Sequence, residues 1–167
     1  NVIPKHIEAL TSKLEEMGVK MEIGIDTITV EHNDNLLPVD ITTKPYPGFA
    51  TDLQQPLTAL LTQIKGESRV VDTIYTERFK HCLELQRMGA DIDIDKGSSI
   101  IKGPSKLYGD KVYATDLRCG ACLVIAGLLA EGETEIHDIY HIDRGYYDID
   151  EKIKKLGGDI CREVVEK

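Results

Sequence analysis

No apolar run in this chain approaches the ~18 consecutive residues of a membrane-spanning helix. The opening stretch Asn1-Val2-Ile3-Pro4-Lys5-His6 lacks the apolar core of a secretory signal. Positive charge is in the minority: 20 Lys and Arg face 29 Asp and Glu, a formal net charge of −9. Duplex nucleic acid or an anionic bilayer would be repelled, so neither is an expected partner. An anionic small molecule remains compatible, because a few converging arginines outweigh distant surface charge at short range. The four cysteines show no disulfide-like spacing, which predicts a reducing, cytoplasmic setting. What is present is globular: 41% hydrophobic and 29% charged residues in a chain of 167, the size of one domain. A chain of that size hides roughly 70% of its unfolded surface.

The informative feature is repetition. Leu14-Glu15-Glu16-Met17-Gly18, Leu85-Gln86-Arg87-Met88-Gly89 and Ile153-Lys154-Lys155-Leu156-Gly157 end alike, their glycines about 70 residues apart. Ile7, Leu10, Leu14 and Met17 recur at helical spacing. The glycine then supplies the left-handed residue that closes a helix. A short alternating stretch follows each glycine and reads as a half-buried strand. A second module alternates with the first. It opens on Thr51-Asp52-Leu53-Gln54 and again on Thr115-Asp116-Leu117-Arg118. Both openings read as helix N-caps. Each leads through an apolar helix to a turn, Gly66 to Asp72 in one copy and Gly132 to Asp138 in the other. The sequence divides into a partial first repeat (1–46), a second (47–112) and a third (113–167), all in one domain. Nothing before Pro4 supplies the first helix of the first repeat, so one apolar face is expected to lack its cover.

Three arginines stand at repeat entrances. Arg118 falls in the first turn of a predicted helix, where the dipole disfavours a cation unless an anion compensates it. Helix N-termini are themselves anion sites. Arg78 and Arg144 lie at matching places in the second and third repeats, and a repeated fold would bring them to one mouth. The planar guanidinium fork suits phosphate and carboxylate; ordinary loop salt bridges are the alternative. Asp52 follows the stiff Lys44-Pro45-Tyr46-Pro47-Gly48 loop. Its carboxylate reads either as a plain N-cap or as a general base. Cys119-Gly120-Ala121-Cys122 sits among apolar residues and reads as a buried helix rather than a redox pair. His137 and His141 lie in an alternating stretch and would not share a helical face. Asp91-Ile92-Asp93-Ile94-Asp95 starts like a calcium loop but has Lys96 and Lys102 where glycine and glutamate belong. No metal and no cofactor is expected.

Together, Pro47-Gly48-Phe49-Ala50-Thr51-Asp52-Leu53-Gln54, Thr115-Asp116-Leu117-Arg118 and Tyr140-His141-Ile142-Asp143-Arg144-Gly145-Tyr146 resemble the enolpyruvyl transferases, in particular the UDP-N-acetylglucosamine 1-carboxyvinyltransferases. The resemblance implies an α/β fold, one lobe of an inside-out α/β barrel built from βαβαββ-type repeats with the first incomplete. It implies transfer of the enolpyruvyl group of phosphoenolpyruvate to the sugar 3-hydroxyl of UDP-N-acetylglucosamine, with release of phosphate, the first committed step of peptidoglycan synthesis. It places Asp52 beside that hydroxyl as base or orienting group and Ile74 against the nucleotide sugar. Arg78, Arg118 and Arg144 would hold phosphoenolpyruvate and its tetrahedral intermediate. The family's general acid, a cysteine or aspartate on a mobile loop, belongs to the other lobe, as do a Lys-Asn pair and a further arginine. Cys82, Cys119, Cys122 and Cys161 match no such loop. The expectation is the C-terminal piece of a two-lobed enzyme, inactive alone, whose partner is the N-terminal lobe and whose uncovered face favours self-association. A non-catalytic UDP-sugar-binding fragment and a shikimate-phosphate relative are the alternatives.

Overall fold

Three helices close on left-handed glycines. The computed structural model describes residues 1–163. Helices α1 (Glu8–Glu16), α3 (Lys80–Arg87) and α6 (Ile149–Lys155) are followed by Gly18, Gly89 and Gly157 at φ +86°, +104° and +90°. A Cβ is disfavoured at such angles, which explains the recurring glycine. After the first two glycines the chain enters strands β1 (Lys20–Ile23) and β5 (Asp91–Asp95). After the third, residues 158–161 form no strand, contrary to the sequence expectation. A strand is held by its neighbour. β1 pairs with β2 (Ile28–Glu31) and β5 with β6 (Ser98–Gly103), whereas residues 158–161 have no such neighbour among the described residues.

The middle unit is complete. β3 (Ile41–Thr42), α2 (Thr51–Leu61), β4 (Gly66–Val71), α3, β5 and β6 form a four-stranded sheet in the order β3–β4–β6–β5. β3 and β4 are parallel, so the chain must cross over between them, and α2 is that crossover. β7 (Lys111–Tyr113), α4 (Leu117–Leu129) and β8 (Glu135–His137) repeat the same parallel crossover. The stretches read as turns after each apolar helix therefore run into strands. The two-stranded sheets are the two halves of the complete one: β7–β8 matches β3–β4, and β1–β2 matches β5–β6.

Helices fill the interior and sheets form the outside, the inside-out order expected. α2 packs against α4 and α3 also meets α4. Cys119, Gly120, Ala121, Cys122 and Leu123 are buried on α4, and Gln54, Gln55, Leu57 and Thr58 on α2. Burial raises the thiol pKa of Cys82 to about 12; it also pushes the Cys119 and Cys122 thiols above their ordinary value, as befits inert core cysteines. Met17 is fully buried, and Leu10 and Leu14 pack on the core. The hairpin that follows is not half-buried as predicted: Ile23, Ile25 and Val30 face outward, since no element covers β1–β2 among the described residues. β5 carries Asp91, Asp93 and Asp95 on one face, as its alternation requires. His137 lies in β8, and His141 in the short helix α5 (Tyr140–Asp143), where the sequence alternation had suggested strand.

One buried group makes stability depend on pH. His81 is inaccessible, its Nδ1 has no partner, and Nε2 lies 3.5 Å from Cys82 Sγ. Burial lowers its pKa from 6.5 to about 3, although Asp116 and Asp72 oppose the shift. The unfolded chain takes up this proton below its ordinary pKa and the folded chain does not, so stability falls as pH drops through that window. Urea unfolding is expected to show about 2 kcal/mol less stability at pH 5 than at pH 7 from this group. His81→Gln should flatten that slope, and an equal slope in the variant would contradict the assignment.

Candidate functional site

The packing of α2 on α4 sets their N-terminal ends side by side, and four polar residues meet there. The predicted capping roles divide. Asp116 is the N-cap of α4, accepting from the backbone N–H groups of Arg118 and Cys119. Asp52 is not a cap: the N-cap of α2 is Ala50, which makes no side-chain cap bond, and Thr51 and Asp52 are already helical. The Asp52 carboxylate turns outward to accept a hydrogen bond from Arg118 Nε. Arg78 Nη1 lies 3.5 Å from the same Asp52 oxygen. Two guanidinium groups thus converge on one carboxylate at this mouth of a chain that is negative overall. The Asp52 hydrogen bond raises the Arg118 pKa further above its ordinary value.

Arg78 is the more enclosed of the two, with its side chain 17% exposed against 27% for Arg118. It precedes α3, donates to Thr51 Oγ1 at 3.1 Å and lies 3.9 Å over the Tyr75 ring. The Gln54 amide donates to its carbonyl. Stacked on an aromatic face and hydrogen-bonded at one end, the guanidinium is restrained before any ligand arrives. Beside it is an open depression of about 260 Å³, walled by Gln55, Tyr75, Glu77, Arg78, Lys80, Thr115 and Asp116, so acidic side chains share its rim with the basic ones.

Arg144 makes no ion pair with Asp52; it stands exposed just after α5. Its segment is nevertheless pinned to the same end of α4. Ile142 rests on Gly120, where a Cβ would collide with it, and Gly145 lies against the Leu117 side chain. Arg144 sits between these two anchors, at the helix end that carries Arg118. Ile74 is partly exposed in the loop from β4 to α3, and its N–H donates to Asp72.

The residues that sequence reasoning missed are Thr51, Tyr75 and above all Asp72. Asp72 is buried and accepts from the Thr43 and Thr51 hydroxyls and the Ile74 and Tyr75 N–H groups. Burial raises its pKa, but these hydrogen bonds outweigh burial and leave it below the ordinary carboxylate value. A signal was available, since Asp72 and Asp138 end the two matched stretches that begin at Gly66 and Gly132.

Comparison with known proteins agrees with this architecture. The profile of the EPSP synthase (3-phosphoshikimate 1-carboxyvinyltransferase) family matches residues 1–153. UDP-N-acetylglucosamine 1-carboxyvinyltransferase 2 of Listeria monocytogenes is 58% identical over 97% of this chain, and that of Staphylococcus aureus Mu50 is 56% identical over 99%. The chain spans 38% and 39% of the length of those relatives. Among solved structures, the enolpyruvyl transferase NikO from Streptomyces tendae superposes with TM-score 0.85 at 30% identity, over 92% of this chain and 36% of that one. An EPSP synthase from Acinetobacter baumannii shares the fold, at TM-score 0.60 and 21% identity.

An exposed ion pair contributes roughly 0–1 kcal/mol, so the Asp52 cluster is not what holds the chain folded. Asp52→Asn should shift the urea-unfolding free energy by less than about 1 kcal/mol. Gly120→Val, which drives side-chain atoms into Ile142, should cost about 1–3 kcal/mol or more. The reverse order of effects would mean that the Asp52 cluster is structural.

Proposed function

The chain belongs to the EPSP synthase family, and on that footing we propose that it supplies one lobe of a UDP-N-acetylglucosamine 1-carboxyvinyltransferase. The observation that carries the proposal is the convergence of Arg78 and Arg118 on Asp52 at the paired starts of α2 and α4. This reaction needs that combination of charges. Phosphoenolpyruvate brings a phosphate and a carboxylate, and the acceptor brings a hydroxyl that must lose its proton.

In this reading Asp52 orients the sugar 3-hydroxyl and takes its proton as the C–O bond forms at C2 of phosphoenolpyruvate. Ile74 packs against the nucleotide sugar. Arg78, Arg118 and Arg144 hold the phosphate and carboxylate through the tetrahedral intermediate, whose methyl carbon, protonated in the addition, gives up a proton as the C–O bond to phosphate breaks. Cations fixed before the reaction stabilise developing anionic charge without reorganising. The general acid that protonates the methylene carbon is assigned to the other lobe, the proposed partner of this one, and the cleft between the lobes is where both substrates bind. The 58% identity to a nucleotide-sugar enzyme favours this acceptor over shikimate phosphate. A cytoplasmic setting follows from the proposed substrates; no helix among the described residues is long and apolar enough to cross a membrane.

Phosphate release from phosphoenolpyruvate and UDP-N-acetylglucosamine tests the proposal directly. This chain alone should release none, and a two-lobed protein containing the same stretch should. Release by the chain alone would overturn the division of the site between lobes. In the two-lobed protein, Arg118→Ala should lower kcat/KM for phosphoenolpyruvate about 100-fold or more; unchanged turnover removes Arg118 from the anion clamp.

A further inference from the structure

Asp72 touches none of the proposed substrate positions, yet it is bonded to the supports of several residues that do. Its Oδ1 accepts from the Thr43 hydroxyl at 2.8 Å and from the Ile74 and Tyr75 N–H groups at 2.9 and 2.8 Å. Its other oxygen, Oδ2, accepts from the Thr51 hydroxyl alone. A hydroxyl has one proton, so a Thr51 proton committed to Asp72 leaves the Thr51 oxygen as a pure acceptor. Arg78 Nη1 donates to that oxygen. The order Asp72, Thr51, Arg78 is thus a directional relay with a buried anion at one end and the candidate anion-binding cation at the other.

The same carboxylate fixes the loop that carries the ring beneath Arg78. The Tyr75 N–H is held by Asp72, the Tyr75 carbonyl accepts from the Arg78 N–H at 3.0 Å, and the guanidinium lies over the Tyr75 ring. Arg78 is therefore restrained from two sides that both trace back to Asp72. At 1% exposure the carboxylate is closed to solvent and to ligand, so its influence on chemistry must pass through these neighbours.

We propose that Asp72 is a positioning residue for phosphoenolpyruvate, setting the polarity of the Thr51 hydroxyl and through it the aim of Arg78. This rests on the enolpyruvyl-transfer reading above. Asp72→Asn discriminates between the two oxygens because it keeps size and shape. The two backbone N–H groups require an oxygen at Oδ1, so the amide NH2 falls opposite Thr51. Thr51 must then accept from that NH2 and send its own proton elsewhere, so the lone pair that receives Arg78 is no longer held in place by Asp72.

Two measurements test this. In the two-lobed enzyme, Asp72→Asn should raise KM for phosphoenolpyruvate about tenfold, with KM for UDP-N-acetylglucosamine within about twofold, because the Ile74 N–H keeps its acceptor. Thr51→Val should reproduce that defect and Thr51→Ser should lose less. The Asp72→Asn, Thr51→Val double variant should be no worse than either single, as expected for one shared path. Equal rises in both KM values, or additive losses, would reduce Asp72 to a general structural role. The second measurement needs no turnover: 15N NMR of the Arg78 guanidinium in this chain without substrate. Hindered guanidinium rotation in the native chain should become free in Asp72→Asn and Thr51→Val, and unchanged rotation overturns the relay. Absence of transfer by the unmodified two-lobed enzyme would count against the functional reading, while the NMR result still decides the role of Asp72.

Discussion

The packing of α2 against α4 is the constraint from which the rest of the molecule follows. Both are crossover helices between parallel strands, so both run in the same sense relative to their own sheets. Set side by side, they present their N-terminal ends together. A small residue serves the other side of α4: Gly120 admits Ile142 where any Cβ would exclude it. That contact, with the one between Gly145 and Leu117, fixes the α5 turn against the start of α4, and with it the stretch holding Arg144. A site spread over residues 52 to 144 is thereby gathered at one end of two buried helices.

Electrostatics then separates stability from function. The exposed Asp52–Arg118 and Asp52–Arg78 pairs lie in water-accessible surroundings, where Coulomb attraction is weak and side-chain entropy opposes it. Such pairs are poor staples, and in the proposed reading an incoming phosphate or carboxylate takes over the guanidinium donors at small cost. The buried polar groups behave in the opposite way. Asp72 has all its bonds made inside the protein, and in low dielectric each of them is costly to break. The site accordingly has an exchangeable outer layer, Asp52 and Arg118, resting on a fixed inner one, Asp72, Thr51 and the stacked Arg78.

Repetition explains both the regularity and the gaps. The middle unit shows what a full βαβαββ repeat looks like, and the other two show its second and first halves respectively. Strands β1 and β2 expose Ile23, Ile25 and Val30 where the equivalent strands of the middle unit continue into a wider sheet. The chain covers 38% of the length of the relative from Listeria monocytogenes.

Much of this was legible in the sequence. Helix periodicity, the three closing glycines and the acidic alternation of β5 are local, set by backbone sterics and side-chain period, and they survive unchanged in the fold. The placement of Arg78 before α3 and of Arg118 in the first turn of α4 was equally local. What sequence could not supply were choices that depend on a neighbour distant in the chain. Residues 158–161 alternate like a strand but have no strand to pair with. Asp52 has the residue type of an N-cap, yet α2 already begins at Thr51, and its carboxylate is left to pair with Arg118, 66 positions away. Asp72 looked like a turn aspartate and became the hub of the site because Thr43, Thr51 and the following loop all fold onto it. The sequence by itself determined the helices that close on glycine, the alternation of β5 and which residues carry charge at the helix starts. The tertiary structure decided which of those charges meet, because pairing and burial are properties of the space between elements.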